Sequence, residues 1–256
     1  MDMDIIVPVK LVPDLVEELE IDSSGAALDR TFIRLVVNEF DEHAIQEAIL
    51  LRDRIGGQVV VLAPDYDGVD DVLFTAIAKG ADRVIKLQGE FDGDVNSHAL
   101  ARVFANVLRE LKPDLVLTGV QAHDSLDGPV GALLSKELGW PYVGYVSSVE
   151  VSNGKCTIQK EYPGGLKVEM EVSLPAVFGI QAAEEPPGYI AISKIRQAMK
   201  TATIEEIAAI NLDFSGGPSI SRMYLPDVGE HATMLEGDDE AVAEKLVGIL
   251  KEKGIL

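Results

Sequence analysis

Cysteine is almost absent from this chain, since Cys156 is the only one among 256 residues. A single cysteine excludes an internal disulfide and any zinc or iron–sulfur site built from cysteines. Positive charge is also scarce, because 22 lysines and arginines stand against 43 acidic residues and leave a formal net charge of -21. Such a charge repels phosphate backbones and anionic lipid headgroups. We therefore expect neither nucleic acid nor a membrane surface as a partner.

Targeting and membrane-spanning signals are missing too. No apolar run is long enough to cross a bilayer, and the start, MDMDIIVPVK, carries two acidic residues where a signal peptide needs positive charge. These features predict a cytoplasmic protein that is not an integral membrane protein.

The sequence also lacks the common catalytic signatures. It has no GxGxxG after the first apolar run, no GxxxxGK[ST], no GxSxG, no HExxH and no CxxC. The four histidines, of which His123 is one, lie far apart with no i, i+4 pair, so a helical metal site is not expected. Enzyme classes that rely on these motifs are therefore not expected, and we predict no catalytic residue and no metal site.

The chain does contain an alternation of strands and helices in its first half. Four short runs rich in Val, Ile and Leu are typical of buried parallel strands: DIIVPVK, QVVVLAP, DRVIKL and DLVLTG. Between and after them stand amphipathic segments that begin near Asp, Asn or Gly and end near Gly or Pro, as helices do. The pattern predicts a Rossmann-like α/β fold with a doubly wound parallel sheet.

The second half changes character after Pro141. A period-two pattern interrupted by Asn153-Gly154 and Gly164-Gly165 predicts an antiparallel hairpin extension of the sheet. Residues 184–200 and 211–236 show prolines, glycines and mixed charge without a period, which predicts an excursion and an arm. A terminal helix with an apolar stripe closes the chain and needs a surface on which to dock. We expect an α/β domain over 1–210 and a C-terminal arm over 211–256.

The stretch TGVQAHDSLDGPVG, residues 118–131, joins the fourth strand to a helix and is rich in small and acidic residues. A helix N-terminus offers unpaired N–H groups to an anion such as phosphate, and glycines allow close approach. Asp124 suits either a ribose hydroxyl or a turn, and Asn38 suits either a ligand or a helix cap. His123 is interpreted as a turn residue, and Asp127 as a solvated carboxylate.

Several segments in order resemble the beta subunit of electron transfer flavoproteins. They are VKLVPD, VNEFDEHAIQEAI, AIAKGADRVI, DLVLTGVQAHD, GALLSKELGWP, EYPGGLKVEMEVSLPAV and EEPPGYIAISKI. The resemblance covers nearly the whole chain and implies an adenine-nucleotide-binding α/β fold that pairs with an alpha subunit. It implies a subunit that relays electrons between a dehydrogenase or reductase and a further acceptor, through FAD shared with or held by the alpha subunit. Such a subunit is an electron carrier and not an enzyme, and both a simple and an electron-bifurcating complex stay open.

The resemblance also implies an adenine nucleotide, AMP or a second FAD, in this chain. The implied cofactor-binding residues are Pro8, Val9, Asn38, Asp41, Ala63, Gln121, Asp124, Gly128, Val130 and Gly131. Pro129 and Val130 depart from the polar pair usual in the family, and neither side chain donates to a phosphate, so AMP, FAD and no nucleotide all stay open. Leu15 stands where members often carry an aromatic residue near the flavin.

The resemblance further implies a recognition loop over 183–200 that docks a redox partner such as an acyl-CoA dehydrogenase. The implied docking residues are Tyr189, Ile190, Ile192 and Lys194, and the arm is implied to embrace the alpha subunit. Two alternatives remain from the residues alone. One is a stand-alone adenine-nucleotide sensor similar to universal stress proteins, which would not need the arm. The other is an adenylating enzyme of the ATP-pyrophosphatase type, whose SGGxDS loop is missing.

Overall fold

The computed structural model describes residues 2–91, 95–125, 130–152, 155–209, 212–226, 229 and 232–256. Two compact units divide the chain, Met1–Arg222 and Met223–Leu256. The predicted turn at Asn153-Gly154 lies outside the described residues.

A nine-stranded sheet forms the centre of the first unit, in the order β11-β5-β4-β1-β6-β10-β7-β8-β9. Its strands are β1 (Met3–Pro8), β4 (Gly57–Pro64), β5 (Arg83–Gln88), β6 (Leu115–Gly119), β7 (Tyr142–Ser152), β8 (Lys155–Tyr162), β9 (Leu166–Ser173), β10 (Ala176–Ile180) and β11 (Glu205–Ala208). A separate antiparallel pair joins β2 (Leu11–Pro13) to β3 (Leu35–Val37). The helices are α1 (Glu39–Ile55), α2 (Val69–Lys79), α3 (Ser97–Leu111), α4 (Val130–Leu138), α5 (Ile192–Thr201) and α6 (Asp239–Glu252).

The parallel core confirms the predicted doubly wound fold. Strand β1 pairs in parallel with β4 on one side and with β6 on the other. The order of the strands therefore runs away from β1 in opposite directions on its two sides. Helices α1 and α2 cover one face, while α3 and α4 cover the other and pack against one another. Because the strand order reverses beside β1, the carboxyl ends of β1 and β6 form the crevice where such folds bind ligands.

The antiparallel extension is present as β7-β8-β9, as predicted. One part of it differs from the expectation. The period-two stretch after Pro141 runs on to Ile180 in the sequence, which predicted that its last strand, β10, belongs to the antiparallel extension. Strand β10 instead inserts between β6 and β7 and runs parallel to both. All five of its residues are buried, because it lies inside the sheet rather than at its edge.

The segment after residue 184 holds more regular structure than its composition predicted. Helix α5 packs on α2 and buries Ala198, and β11 adds a parallel edge strand beside β5. Residues 212–216 are bound by hydrogen bonds to α3 and its N-cap. The Asp213 carbonyl accepts from the Arg102 guanidinium at 2.8 Å, and the Gly216 carbonyl accepts from the Asn96 amide at 2.8 Å. The expectation of an irregular excursion was therefore wrong for 192–200, and the sequence pattern had carried no prediction for the strand at 205–208.

The second unit contains α6. Asp238 caps it by accepting a hydrogen bond from the Ala241 N–H at 2.9 Å. No residue of this helix is buried, and Leu246, Val247 and Ile249 are exposed. The docking of this arm on an alpha subunit stays a prediction.

Candidate functional site

A small cleft lies at the carboxyl ends of β1 and β6, and we call it the strand-end cleft. Its volume is about 20 Å³. Six of the residues predicted to bind a nucleotide line it: Pro8, Val9, Asn38, Asp41, Gln121 and Val130. Ala63 is instead fully buried in β4, and Gly131 lies in the first turn of α4. Gly128, Asp127 and Pro129 lie outside the described residues.

Asp41 joins the two strand ends. Its Oδ2 accepts from the Lys10 N–H at 2.8 Å, and its Oδ1 accepts from the Gly119 N–H at 2.8 Å. Burial raises the pKa of this carboxyl to about 6, although both hydrogen bonds and the nearby Lys10 charge oppose the shift. Both carboxylate oxygens are thus bound to the chain's own backbone, so Asp41 fixes the floor of the cleft.

Lys10 is a part of this site that the sequence reasoning missed. Its ammonium lies 2.8 Å from Asp124 Oδ1 and donates to the Ser125 hydroxyl, while only 9% of its side chain is exposed. The Ser125 hydroxyl in turn donates to Asp124 Oδ1 at 3.1 Å. A partly buried ion pair therefore anchors the loop after β6 to the residues after β1. One signal in the sequence could have indicated Lys10, because it lies two residues after a strand that reads as buried. A lysine that is buried usually has a charged partner.

Asn38 and His123 provide two further links. Asn38 Nδ2 donates to the Gln121 carbonyl at 2.9 Å, and its side chain makes no capping hydrogen bond to α1. His123 Nε2 lies 3.0 Å from the Pro13 carbonyl. The loop over 121–125 is thus tied both to the start of α1 and to β2, and Asn38 acts as a cross-link rather than as a cap.

Gly131 is required by packing. A Cβ at this position would clash with the Thr118 hydroxyl and lie 3.0 Å from the Tyr142 ring. The phenol of Tyr142 has no hydrogen-bond partner among the described residues, and burial raises its pKa to about 12. The close approach of α4 to β6 therefore accounts for this glycine without a ligand.

The segment over 183–200 is held at both ends, and we call it the docking segment. Near its start, the Ala183 N–H donates to His43 Nδ1 at 3.1 Å and the Glu184 N–H donates to Glu47 Oε2 at 3.0 Å. The other end is α5, packed on α2. Tyr189, between these anchors, is 87% exposed, and Ile192, the first residue of α5, is 59% exposed.

Glu47 is the second buried carboxylate of α1. The sequence reasoning predicted a role for the first, Asp41, but missed Glu47. Its Oε1 accepts from the Val149 N–H at 3.0 Å, and Arg54 lies 3.8 Å away. Burial raises the pKa of Glu47, and its two backbone hydrogen bonds oppose that shift. Arg54 also binds Glu184 at 3.1 Å, so α1, β7 and the docking segment share one polar cluster.

Comparison with known proteins identifies the family. A model described as an electron transfer flavoprotein domain matches residues 28–212. The chain belongs to the electron transfer flavoprotein family. The predicted resemblance is thereby confirmed.

Relatives in this family match along their whole length. The electron transfer flavoprotein subunit beta of Methylophilus methylotrophus is 31% identical, with 98% of each chain covered. The protein of the same name from Clostridium acetobutylicum is 30% identical, with 98% of this chain and 99% of its own covered. Protein FixA of Azorhizobium caulinodans is 28% identical, with 96% of this chain and 92% of its own covered.

Family membership implies an association with flavin, so the strand-end cleft must be tested for size. Pockets for cofactor-sized ligands occupy roughly 300–1,000 Å³, whereas this cleft encloses about 20 Å³, close to the space of one water. Lys10 lines the cleft, and its ammonium is paired with Asp124. The described residues therefore do not fit an adenine nucleotide in this arrangement, and no step of electron transfer is assigned to this cleft.

Other chemistry in the described chain is sparse. Burial raises the pKa of the Cys156 thiol to about 12, which leaves it unreactive near neutral pH. No group of three or more metal-ligating side chains occurs among the described residues. None of the helices in the described parts of the chain is both long and apolar enough to span a bilayer.

Proposed function

We propose that this chain is the beta subunit of a heterodimeric electron transfer flavoprotein. The observation that carries the proposal is the end-to-end match to relatives named as that subunit, with 98% of this chain and 98% of the Methylophilus protein covered. In this proposal FAD held mainly by the alpha subunit takes up electrons from a dehydrogenase or reductase and passes them to a further acceptor. The beta subunit itself makes and breaks no covalent bond.

The contribution of this chain is to shape two surfaces. The first is the lobe between β2 and β3, residues 14–34, where Leu15, Val16 and Phe32 are 63%, 93% and 90% exposed. Three large apolar side chains on one lobe favour burial against a partner. We assign this lobe to the alpha subunit, with Leu15 packing near the flavin edge.

The second surface is the docking segment. Its base is fixed by His43 and Glu47, so Tyr189 and Ile192 are presented without much freedom. Pre-ordered apolar anchors bind more tightly because less entropy is lost on docking. We propose that these side chains, with Ile190 and Lys194, dock an acyl-CoA dehydrogenase or a similar redox partner.

An adenine nucleotide in this chain, AMP or a second FAD, remains a proposal with a structural condition. Since the strand-end cleft encloses about 20 Å³, the described residues that line it, Lys10 among them, must move apart before a nucleotide can enter. A cytoplasmic location is also proposed, because the single thiol is buried and suits a reducing compartment.

Co-expression with an alpha subunit tests the proposal. We expect a yellow one-to-one complex that retains flavin through gel filtration, and mass spectrometry of the denatured complex would count the nucleotides. Two FAD per complex would indicate a second flavin in this chain, and one FAD with AMP would indicate a simple shuttle. A stable, colourless monomer that never captures a flavin-bearing subunit would refute the assignment.

A further inference from the structure

Glu184, at the start of the docking segment, makes hydrogen bonds through both its backbone and its side chain. Its N–H donates to Glu47 Oε2 at 3.0 Å. Both of its carboxylate oxygens lie 3.1 Å from Arg54 Nη1, and one of them also accepts from the Ser148 hydroxyl at 2.7 Å. Glu47 and Arg54 belong to α1 and Ser148 belongs to β7, so Glu184 ties the docking segment to two elements at once. We call these four residues the Glu184 clamp.

Arg54 lies between the two carboxylates of the clamp. Glu47 is fully buried, and its Oε1 lies 3.8 Å from Arg54 Nη2. Burial raises the pKa of Glu47, and the charge of Glu184 adds to that shift, so the two carboxylates repel one another. Arg54 Nη2 also donates to the Val149 carbonyl at 3.2 Å, which fixes the guanidinium in place. Arg54 therefore offsets a repulsion that would otherwise push Glu184 away from α1.

The ion pair of the clamp is only partly buried. The exposed fraction is 39% for the Arg54 side chain and 32% for the Glu184 side chain. Ion pairs that water can screen contribute little to the stability of the whole fold. Loss of this pair should therefore loosen the docking segment locally and leave the rest of the domain folded.

The chain beyond Glu184 has few other supports before α5 begins. Residues 186–191 belong to no helix or strand. Pro186 and Pro187 restrict the backbone at the start of this stretch, because the proline ring fixes φ. On its far side α5 buries only Ala198. The position of the exposed docking side chains should thus depend more on the clamp than on α5.

We propose that Glu184 is a positioning residue for partner docking, held in place by Arg54 and Ser148. The clamp fixes where the docking segment leaves the α/β domain, and the two prolines extend that constraint toward Tyr189 and Ile192. A partner then meets a surface that is already ordered, so less entropy is lost on docking. This inference rests on the proposed role of the docking segment, but the order of the segment can be measured without any partner.

Hydrogen exchange of the purified full-length chain, followed by mass spectrometry of peptides that cover 183–191, tests the clamp directly. Glu184→Gln should lower the protection of this stretch roughly three- to tenfold, because the ion pair is lost. The backbone bonds to His43 and Glu47 remain, which limits the effect. Glu185→Gln is the matched control, since Glu185 is the exposed neighbour outside the clamp and the change in charge is the same. It should leave the protection unchanged.

A double variant separates repulsion from simple loss of contacts. Arg54→Gln should lower the protection more than Glu184→Gln does, because it leaves the Glu47 and Glu184 carboxylates facing one another. Adding Glu184→Gln to Arg54→Gln should then restore part of the protection, since one of the two repelling charges is removed. If only contacts mattered, the double variant would be at least as unprotected as Arg54→Gln alone.

The same order of variants should appear in partner kinetics. With the heterodimer as electron acceptor of an acyl-CoA dehydrogenase, Glu184→Gln should raise KM roughly three- to tenfold and change kcat and flavin content little. Arg54→Gln should raise KM further, and the double variant should lie between the two.

Three results would overturn the proposal. The first is unchanged protection in Glu184→Gln, or an equal loss in Glu185→Gln. The second is a loss of protection without a rise in KM while Ile192→Ala does raise KM, because docking would then not depend on the clamp. The third is an unchanged KM in both Glu184→Gln and Ile192→Ala, which would refute the proposed docking role of the segment as well.

Discussion

Replacing Asp41 with asparagine should change how the stability of the protein responds to pH. The carboxylate is buried between the Lys10 and Gly119 N–H groups, each at 2.8 Å, and burial raises its pKa from 3.8 to about 6. Asparagine keeps the shape and one acceptor but cannot titrate. The difference in unfolding free energy between the wild type and Asp41→Asn therefore isolates the protonation of this one group.

The expected magnitude follows from the pKa. A raised pKa in the folded state means that the folded protein binds the proton more tightly than the unfolded chain does. The resulting stabilisation is present at low pH and is lost as pH rises through about 6. At about 1.4 kcal/mol per tenfold change in proton affinity, the full effect is about 3 kcal/mol, of which about 1 kcal/mol develops between pH 7 and pH 5.

Urea unfolding at pH 7 and pH 5, followed by circular dichroism, measures this difference. The wild type should gain about 1 kcal/mol of unfolding free energy relative to Asp41→Asn on going to pH 5. Titrations elsewhere in the chain largely cancel because both proteins share them. If the wild type instead loses stability relative to the variant, the two N–H bonds outweigh burial, the pKa is lowered, and the reasoning is wrong.

Four further predictions concern the proposed surfaces. Glu47→Gln should lower the unfolding free energy by about 1–3 kcal/mol, because an amide can accept from only one of the Val149 and Glu184 N–H groups. Chemical denaturation measures this change, and Glu39→Gln, exposed on the same helix, is the control. Ile192→Ala should raise the KM for the partner dehydrogenase roughly ten- to a hundredfold, while flavin content stays constant. Loss of folding would instead show that Ile192 is part of the core. Met199→Ala, exposed on the same helix, should have a smaller effect on that KM. Deletion of residues 238–256 should dissociate the heterodimer in gel filtration, and an intact truncated complex would show that the arm is dispensable.

The parallel core could be predicted from sequence because burial on both faces imposes a local composition. Strands β1, β4 and β6 are runs of Val, Ile and Leu, and their pairing partners hardly alter that pattern. Strand β10 shows the limit of this reasoning. Its AVFGI is equally apolar, but its place between β6 and β7 depends on a crossover that no local pattern encodes.

Elements that bury little were the hardest to predict. Helix α5 buries only Ala198, and two prolines precede it, so its sequence resembles a loop. Strand β11 reads EEIA and has no buried residue, because it lies at the edge of the sheet beside β5. In both cases packing on a neighbouring element supplies the stability that local sequence does not show.

The candidate site was predicted in part. The sequence and the resemblance together placed Pro8, Asn38 and Gln121 at one cleft, and the structure brings them together. The ionic links were missed, because Lys10 and Asp124 are separated by 114 positions and meet only through the sheet order. Local periodicity cannot specify such a pairing.

Helix α1 connects the strand-end cleft and the docking segment through two buried carboxylates. Asp41 fixes the strand-end cleft, and Glu47 holds the start of the docking segment. Both accept backbone N–H groups from elements far away in sequence, which would be left unpaired if α1 shifted. A small displacement of α1 would therefore disturb the cleft and the docking segment at once. Since a buried polar group without a partner is costly, the same bonds that hold the fold also hold these two surfaces in a fixed relation.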